Sequence, residues 1–461
     1  MACDEGLLMT VSGTDLQVKT LGECRIDSPL AGGPGARRES QHYVEDCERV
    51  LFDDVVDVAA SGGGGVAELP TLEPAGPRRR IYFDPAKTRV GIVTCGGLCP
   101  GLNDVIRGIV LQLTGHYGVR RIVGFRYGYR GFVPRYGDPV VDLTPERVRG
   151  IDELGGTILG TSRGQQDPAE IVDCLERMDI DILFVIGGDG SMRGAMRIAQ
   201  EVGRRGDRTA VVGIPKTIDN DIPFIDHSFG FQTAFGEAAR FLRAAQAEAS
   251  SVANGVGLVK VMGRYSGFIA CYARLAEGDA DYVLVPEVPF ALDGPNGFLA
   301  HLRRRVGENG YAVVAVAEGA GQEHFAAGTN GTDASGNACL RDVGPFLRER
   351  ITADFQAAGQ DVNIRYFDPS YAIRSVPANS HDSVYCLQLA QGAVHAAMAG
   401  RTEMVVGRRH GRFVHLPMPL IVSRCNQVDP DGELWLSVLE ATGQPARFGN
   451  VEAAELVGTR G

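Results

Sequence analysis

Two stretches, Val185-Ile186-Gly187-Gly188-Asp189-Gly190-Ser191 and Pro215-Lys216-Thr217-Ile218-Asp219-Asn220-Asp221, constrain this chain more than any other part of it. Each closes an apolar run with small or charged residues at its carboxyl end. The first passes through two glycines, an acid, a third glycine and a serine into a helical pattern, which reads as strand, tight turn and helix N-terminus. In an open α/β sheet that end is where ligands bind. Glycines let the backbone approach a polyphosphate closely, and the free amides and dipole of the helix start favour its oxygens. Asp189 is no phosphate ligand by itself, because two anions repel, but it suits Mg²⁺ held against phosphates.

In the second stretch Asp219 and Asp221 stand two residues apart, so an extended backbone turns both carboxylates to one side. Lys216 lies just before them. A carboxylate to take a hydroxyl proton, a cation beside it and a metal-bound phosphate opposite are the minimal equipment for phosphoryl transfer to an alcohol. The plain alternative is a pair of Asx-rich turns after two strands, which the two stretches together argue against.

At 461 residues the chain exceeds the size at which one core keeps growing, so two domains are expected. The 61 glycines favour a loop-rich α/β nucleotide or phosphate binder over a helical bundle. A net charge of −11 argues against nucleic acid as a bulk partner and requires local cations for any anionic substrate. No apolar run is long enough to span a bilayer, and Met1-Ala2-Cys3-Asp4-Glu5 lacks the basic start of a signal peptide, so no membrane association and a cytoplasmic location are expected. The ten cysteines lack a disulfide-scaffold spacing. Cys95 and Cys99 have no second ligand pair nearby and read as small buried residues in a turn.

Residues 1 to about 80 read as an extension. The stretches 32–38 and 61–65 are expected to be flexible and 77–80 a solvated basic linker, while 43–52 has enough apolar content to dock as a short ordered piece. Strand-helix alternation begins near Thr88. Val90-Gly91-Ile92-Val93-Thr94 leads through Cys95-Gly96-Gly97-Leu98-Cys99-Pro100-Gly101-Leu102-Asn103 into a helix bearing Val105, Ile106, Ile109, Val110 and Leu113. This glycine turn has no GxGxxG, which disfavours a dinucleotide-binding dehydrogenase. Tyr127-Gly128-Tyr129-Arg130-Gly131-Phe132 suits either a flat base or the cap of a sheet. In the loop 155–164, Arg163 is a candidate phosphate clamp, since its fork matches phosphate oxygens.

A helix over 232–249 introduces a second series. Strands at 256–262, 311–317 and 362–366 exit into Arg264, Glu318, Tyr371 and Arg374. Two arginines and a carboxylate at strand ends suit a sugar phosphate; interdomain salt bridges are the alternative. A helix over 381–399 closes the series, and 403–416 reads as a hairpin turning at Arg408-Arg409-His410-Gly411. The tail beyond, with Trp435, carries no legible motif.

These residues resemble the 6-phosphofructokinase family, in particular its plant- and trypanosome-like ATP-dependent branch. The resemblance spans about 78–400 and rests on ordered motifs: Gly96 to Asn103, Gly155 to Arg163, Gly187 to Ser191, Pro215 to Asp221, Met262-Gly263-Arg264, Glu318-Gly319 and Tyr371-Ala372-Ile373-Arg374. It implies an α/β fold of two Rossmann-like three-layer (αβα) domains with mostly parallel sheets and the active site in the cleft between them. The domains are expected at 81–232, with 376–400 returning, for nucleotide, and at 233–375 for sugar phosphate. The segments 1–80 and 401–461 are expected to be extensions.

The implied activity is phosphorylation of fructose 6-phosphate at its 1-hydroxyl by Mg-ATP, the committed step of glycolysis. Gly96, Arg163, Gly164, Gly188, Asp189, Gly190 and Ser191 resemble the ATP site, with Asp189 at the Mg²⁺ position. Thr217, Ile218 and Asp219 resemble the sugar-facing strip, with Asp219 as the base and Lys216, Asp221 and Arg264 around it. Met262, Gly263, Arg264, Glu318, Tyr371 and Arg374 resemble the sugar-phosphate site. Arg365 resembles an arginine that reaches the 6-phosphate from a neighbouring subunit, which implies a homodimer or homotetramer.

The chain departs from many bacterial relatives at Gly255, where they carry an arginine, and Lys216 is the candidate to compensate. Lys216 is shared with pyrophosphate-dependent relatives, so Gly190 is the residue expected to select the donor. An aspartate there would occupy the space and oppose the charge of the α-phosphate of ATP, and glycine removes both obstacles. The rivals are a pyrophosphate-dependent phosphotransferase, an NAD or lipid kinase with its own Gly-Gly-Asp-Gly loop, and a non-catalytic regulatory subunit. The short signature of the NAD and lipid kinases leaves Glu318 and 371–374 unexplained, and a pure binder needs no base.

Overall fold

A computed structural model describes residues 15–30, 42–55, 69–325, 331 and 339–449. The two alternating series become two sheets of nine and four strands. In the larger sheet Met404–Arg409, Ala210–Pro215, Ile182–Gly187, Arg89–Thr94 and Arg121–Phe125 lie side by side and parallel. Ile182–Gly187 and Ala210–Pro215 are buried at every position, as continuous apolar runs must be when helices cover both faces of a sheet. Ile182, Phe184 and Ile186 face one core with helices Leu102–Gln112 and Ser380–Met398. Leu183 and Val185 face the other core, with Pro168–Arg177 and Asp189–Arg205. The two-residue period of a strand thus divides one apolar run between two layers of helix.

The smaller sheet runs Tyr282–Leu284, Tyr311–Ala317, Gly255–Val261, Asn363–Phe367, all parallel. Val259, Val261, Val313 and Ala315 pack on helices Phe231–Ser250 and Phe268–Glu277. Val256, Leu258, Val314 and Val316 pack on Phe298–Asn309 and Val343–Ala357. Both sheets therefore have the three-layer α/β arrangement expected.

Segments outside the alternating series complete the larger sheet. The hairpin forms as Met404–Arg409 and Arg412–Pro417, reversing at His410 and Gly411 with φ of 50° and 76°. Thr71–Pro74 pairs with its second strand and Val50–Leu51 with Thr71–Pro74, so part of 43–52 docks as an edge strand. The basic run 77–80 is not wholly a solvated linker. Arg78 is 5% exposed and its guanidinium holds Glu73 Oε1 at 2.6 Å, because the run turns back beneath the edge strands. The stretches 32–38 and 61–65 lie outside the described residues. At the other end Trp435 is buried in helix Glu433–Thr442, which packs on Phe268–Glu277. No described helix is long and apolar enough to cross a membrane.

Candidate functional site

Gly187 and Pro215 are paired neighbours, so the two diagnostic loops leave the same edge of the larger sheet. The Lys216 amide donates to Gly187 O at 2.9 Å and holds them together. Gly188 caps the helix that starts at Asp189, and the Ser191 amide donates back to Gly188 O at 2.9 Å. A side chain at 187 would strike Ser191, with its Cβ 2.4 Å from that of Ser191, whereas one at 190 would meet nothing within 4 Å. Asp189 is ion-paired with Arg193, one helical turn on.

Opposite lies the Gly96 turn, with Gly96 at φ 85°. Gly96 is laced to the loop before Arg163: its amide donates to Ser162 O at 3.2 Å and its carbonyl accepts from Thr161 Oγ1 at 2.6 Å. Gly164 has φ 101°, and the exposed Arg163 brings its guanidinium near Gly97. A Cβ at Gly96 would lie 3.7 Å from Ser191 Oγ and one at Gly97 3.9 Å from the Arg163 guanidinium, so the Gly96 turn, the 163–164 loop and 188–191 are neighbours. Cys95 and Cys99 are buried as expected, and burial pushes the Cys95 thiol up to about 12. Tyr129 is also core: its hydroxyl donates to Ser191 O at 2.6 Å and Phe132 stacks on Phe125, which is the sheet-capping alternative.

The second loop is enclosed. Lys216 is 7% exposed and its Nζ donates to Gly97 O at 2.9 Å. The backbone is not extended through 219–221 as the two-residue spacing supposed. Asn220 sits at φ 57°, a left-handed turn that asparagine tolerates, and its Oδ1 accepts from the Ser228 amide at 3.0 Å. The Asp219 amide donates to Thr217 Oγ1 at 3.1 Å. Asp219 Oδ1 is shut away from solvent without a hydrogen-bond partner among the described residues. Burial, then Asp221 and Glu318, raise the Asp219 carboxyl well above the usual carboxylate range, against the opposing pull of Lys216 and Arg264. Burial also raises Asp221, opposed by a hydrogen bond from Thr217 and by Lys216.

Those cross-influences join the two sheets. Ser266 Oγ, from the turn after Met262-Gly263-Arg264, donates to Asp219 O at 2.8 Å. The Glu318 amide donates to Val261 O at 2.9 Å, which sets its side chain beside Arg264. Burial raises the Glu318 carboxyl, while Arg264, Lys260 and Arg374 pull it down. Arg374 stacks its guanidinium 4.3 Å from the ring centre of Tyr371, which is 77% exposed. Thr217, Ile218 and Met262 are buried, and Gly263 takes φ 125°, where a side chain would strike Ser266 O.

Arg365 is not brought to these residues. It is level with Gly257, five residues before Met262, and its guanidinium is paired with Glu248 at 3.5 Å. Gly255 opens the strand that ends at Val261, and a Cβ there would lie 1.9 Å from Ala249 O, so the backbone admits no side chain at all. Lys216 follows the C-terminal end of its strand and is bonded to Gly97, whereas Gly255 opens a strand of the other sheet.

The site has a cation-flanked carboxylate between a glycine-rich helix start and a wall of arginines, which suits an anionic donor on one side and an anionic acceptor on the other. Among the described residues no group of three or more His, Cys, Asp or Glu is arranged to hold a metal. Asp189, in the first turn of its helix, offers a single carboxylate, which fits Mg²⁺, an ion that characteristically takes one or two carboxylates and completes its shell with phosphates and water. Several participants were not foreseen. Arg193 was legible, four residues after Asp189 on a helix. Lys260, whose Nζ bridges Asp342 and Asp368 at 2.9 and 2.8 Å behind Glu318, joins residues far apart in the chain and left no local signal.

Comparison with known proteins finds relatives of this chain. The phosphofructokinase family model matches residues 89–397. An ATP-dependent 6-phosphofructokinase of Amycolatopsis methanolica is 57% identical over 455 residues, covering 97% of this chain and 99% of that protein. One from Trypanosoma brucei brucei is 47% identical over 441 residues, covering 95% and 89%. Among solved structures, a pyrophosphate-dependent phosphofructokinase of Marinobacter aquaeolei aligns with a TM-score of 0.63 at 22% identity, over 79% of this chain and 94% of that one; at that identity the likeness is one of fold.

Proposed function

Because the chain belongs to the phosphofructokinase family, we propose that it transfers the γ-phosphoryl group of ATP to the 1-hydroxyl of fructose 6-phosphate, giving fructose 1,6-bisphosphate and ADP. The observation that carries this reading is the Asp219 carboxylate, with Oδ1 shut away from solvent and Lys216 and Arg264 acting on it from the strand ends of the two sheets.

Asp219 accepts the proton of the 1-hydroxyl while that oxygen bonds to the γ-phosphorus and the bond to the β,γ-bridging oxygen breaks, releasing ADP. Its raised pKa makes it a stronger base than an exposed aspartate, and Lys216 and Arg264 oppose that rise. Lys216 and Arg264 offset charge on the moving group, and Asp221 shares the field at Asp219. Arg264, Arg374, Glu318 and Tyr371 hold the sugar phosphate, with Thr217, Ile218, Met262 and Gly263 beneath it. Gly96, Arg163, Gly164, Gly188, Gly190 and Ser191 hold the nucleotide. Asp189 would hold the Mg²⁺ that accompanies the nucleotide, and the ion would supply positive charge against the phosphates.

The open space at Gly190 supports ATP over pyrophosphate as donor. The protein works in the cytoplasm as a homodimer or homotetramer in which Arg365 reaches a neighbouring subunit's sugar phosphate. The segment 81–232 with 376–400 serves the nucleotide and 233–375 the sugar phosphate. A coupled assay of the purified chain on fructose 6-phosphate, with ATP and pyrophosphate compared, tests the reading. Turnover with ATP is expected; turnover with pyrophosphate alone, or with neither, contradicts it.

A further inference from the structure

The segment 422–428 lies beyond the residues 89–397 that the family model matches and carries no motif, yet it is fastened to three parts of the cleft in succession. Val422 O accepts from Arg193, the partner of Asp189, at 3.4 Å. Asn426 donates twice into the base loop, from its amide to Asp221 O at 2.8 Å and from Nδ2 to Asn220 O at 3.0 Å. Gln427 Nε2 donates to Tyr265 O at 2.9 Å, in the turn that bears Arg264.

With Ser266 Oγ on Asp219 O at 2.8 Å, the carbonyls of 219, 220 and 221 are each taken by a donor from outside the loop, and two of the three donors belong to Asn426. The left-handed Asn220 turns these carbonyls away from any regular ladder, so an external donor has to satisfy them. A base must be held within a fraction of an ångström of its proton, and a loop with fixed peptide planes does that where a loose one does not.

We infer that Asn426 is a positioning residue for the phosphoryl transfer, holding the Asp219 loop in place from the C-terminal segment. The inference rests on the reading of Asp219 as the proton acceptor. Asn426→Ala deletes the Nδ2 donor and keeps the backbone amide; the near-isosteric Asn426→Asp turns an acceptor toward Asn220 O. In the full chain, kcat is expected to fall about tenfold for Asn426→Ala and further for Asn426→Asp, with KM for ATP and the melting temperature close to the parent's. Loosening the loop admits water to Asp219 and lowers its raised pKa, so the acid limb of the kcat profile moves to lower pH in Asn426→Ala.

A kcat within about twofold of the parent in both variants overturns the inference, as does a loss of kcat with the acid limb unmoved or in step with lost folding. Asp219→Asn measured alongside separates the two claims. If it abolishes turnover while the Asn426 variants match the parent, only the role of Asn426 falls; if it retains turnover, both fall.

Discussion

The loops at 187–191 and 215–221 leave neighbouring parallel strands at the same edge, and they are built in opposite ways. In the first, Gly190 borders open space and Asp189 has a half-exposed arginine as its partner. In the second, Lys216, Thr217 and Asn220 are buried, and each carbonyl from 219 to 221 is bound from outside the loop. Under the proposed function, the difference follows from what each has to meet. A polyphosphate is bound by backbone amides that need room around them, whereas a proton acceptor works by being dry and immobile.

The sharpest way to break this contrast is to fill the open loop. Gly190→Asp has room for its side chain, so the fold should be kept. A carboxylate facing the nucleotide phosphates should lower kcat/KM for ATP by about 10²-fold. Steady-state kinetics beside a melting curve checks this, and a change below about threefold would separate position 190 from the donor.

Removing a cation from the enclosed loop should cost less. Lys216→Met is expected to lower kcat about tenfold. Because Lys216 is among the cations that pull the Asp219 and Asp221 carboxyls down, its loss should shift the acid limb of the kcat profile to higher pH. An unmoved limb would detach Lys216 from the base.

The smallest effect concerns stability. Burial and its acidic neighbours hold the folded-state pKa of Asp219 above the unfolded one, so the folded chain binds that proton more tightly. Stability is then lost as pH rises from the unfolded value, about 4, through the folded one. Asp219→Asn cannot ionise and should melt above the parent at pH near 8, by about 1 kcal/mol or roughly 2 °C, with the gap closing below pH ~4. No gap at any pH would mean that the carboxylate is better solvated than its surroundings suggest. A residue whose removal stabilises the fold is one retained for chemistry.

The same contrast explains what the sequence disclosed. Glycine turns after apolar runs are local, so both strand-turn units, the alternating helices and the hairpin at 404–417 were legible from spacing alone. The fastening of the Asp219 loop was not, because Ser266 reaches Asp219 across 47 residues of chain and Asn426 reaches Asn220 across 206. Arg78 misled for the same reason: a run of three arginines looks solvated until Glu73 folds over one of them. Nor does spacing reveal that the chain bends at Asn220, since asparagine is as much at home in an ordinary turn.

The most direct test of the account is the turnover of Asp219→Asn at saturating ATP and fructose 6-phosphate, with sugar-phosphate binding measured separately by calorimetry. The account requires binding to persist while kcat falls by at least ~10²-fold, the usual contribution of a general base. A kcat within a few-fold of the parent, with binding intact, would contradict it.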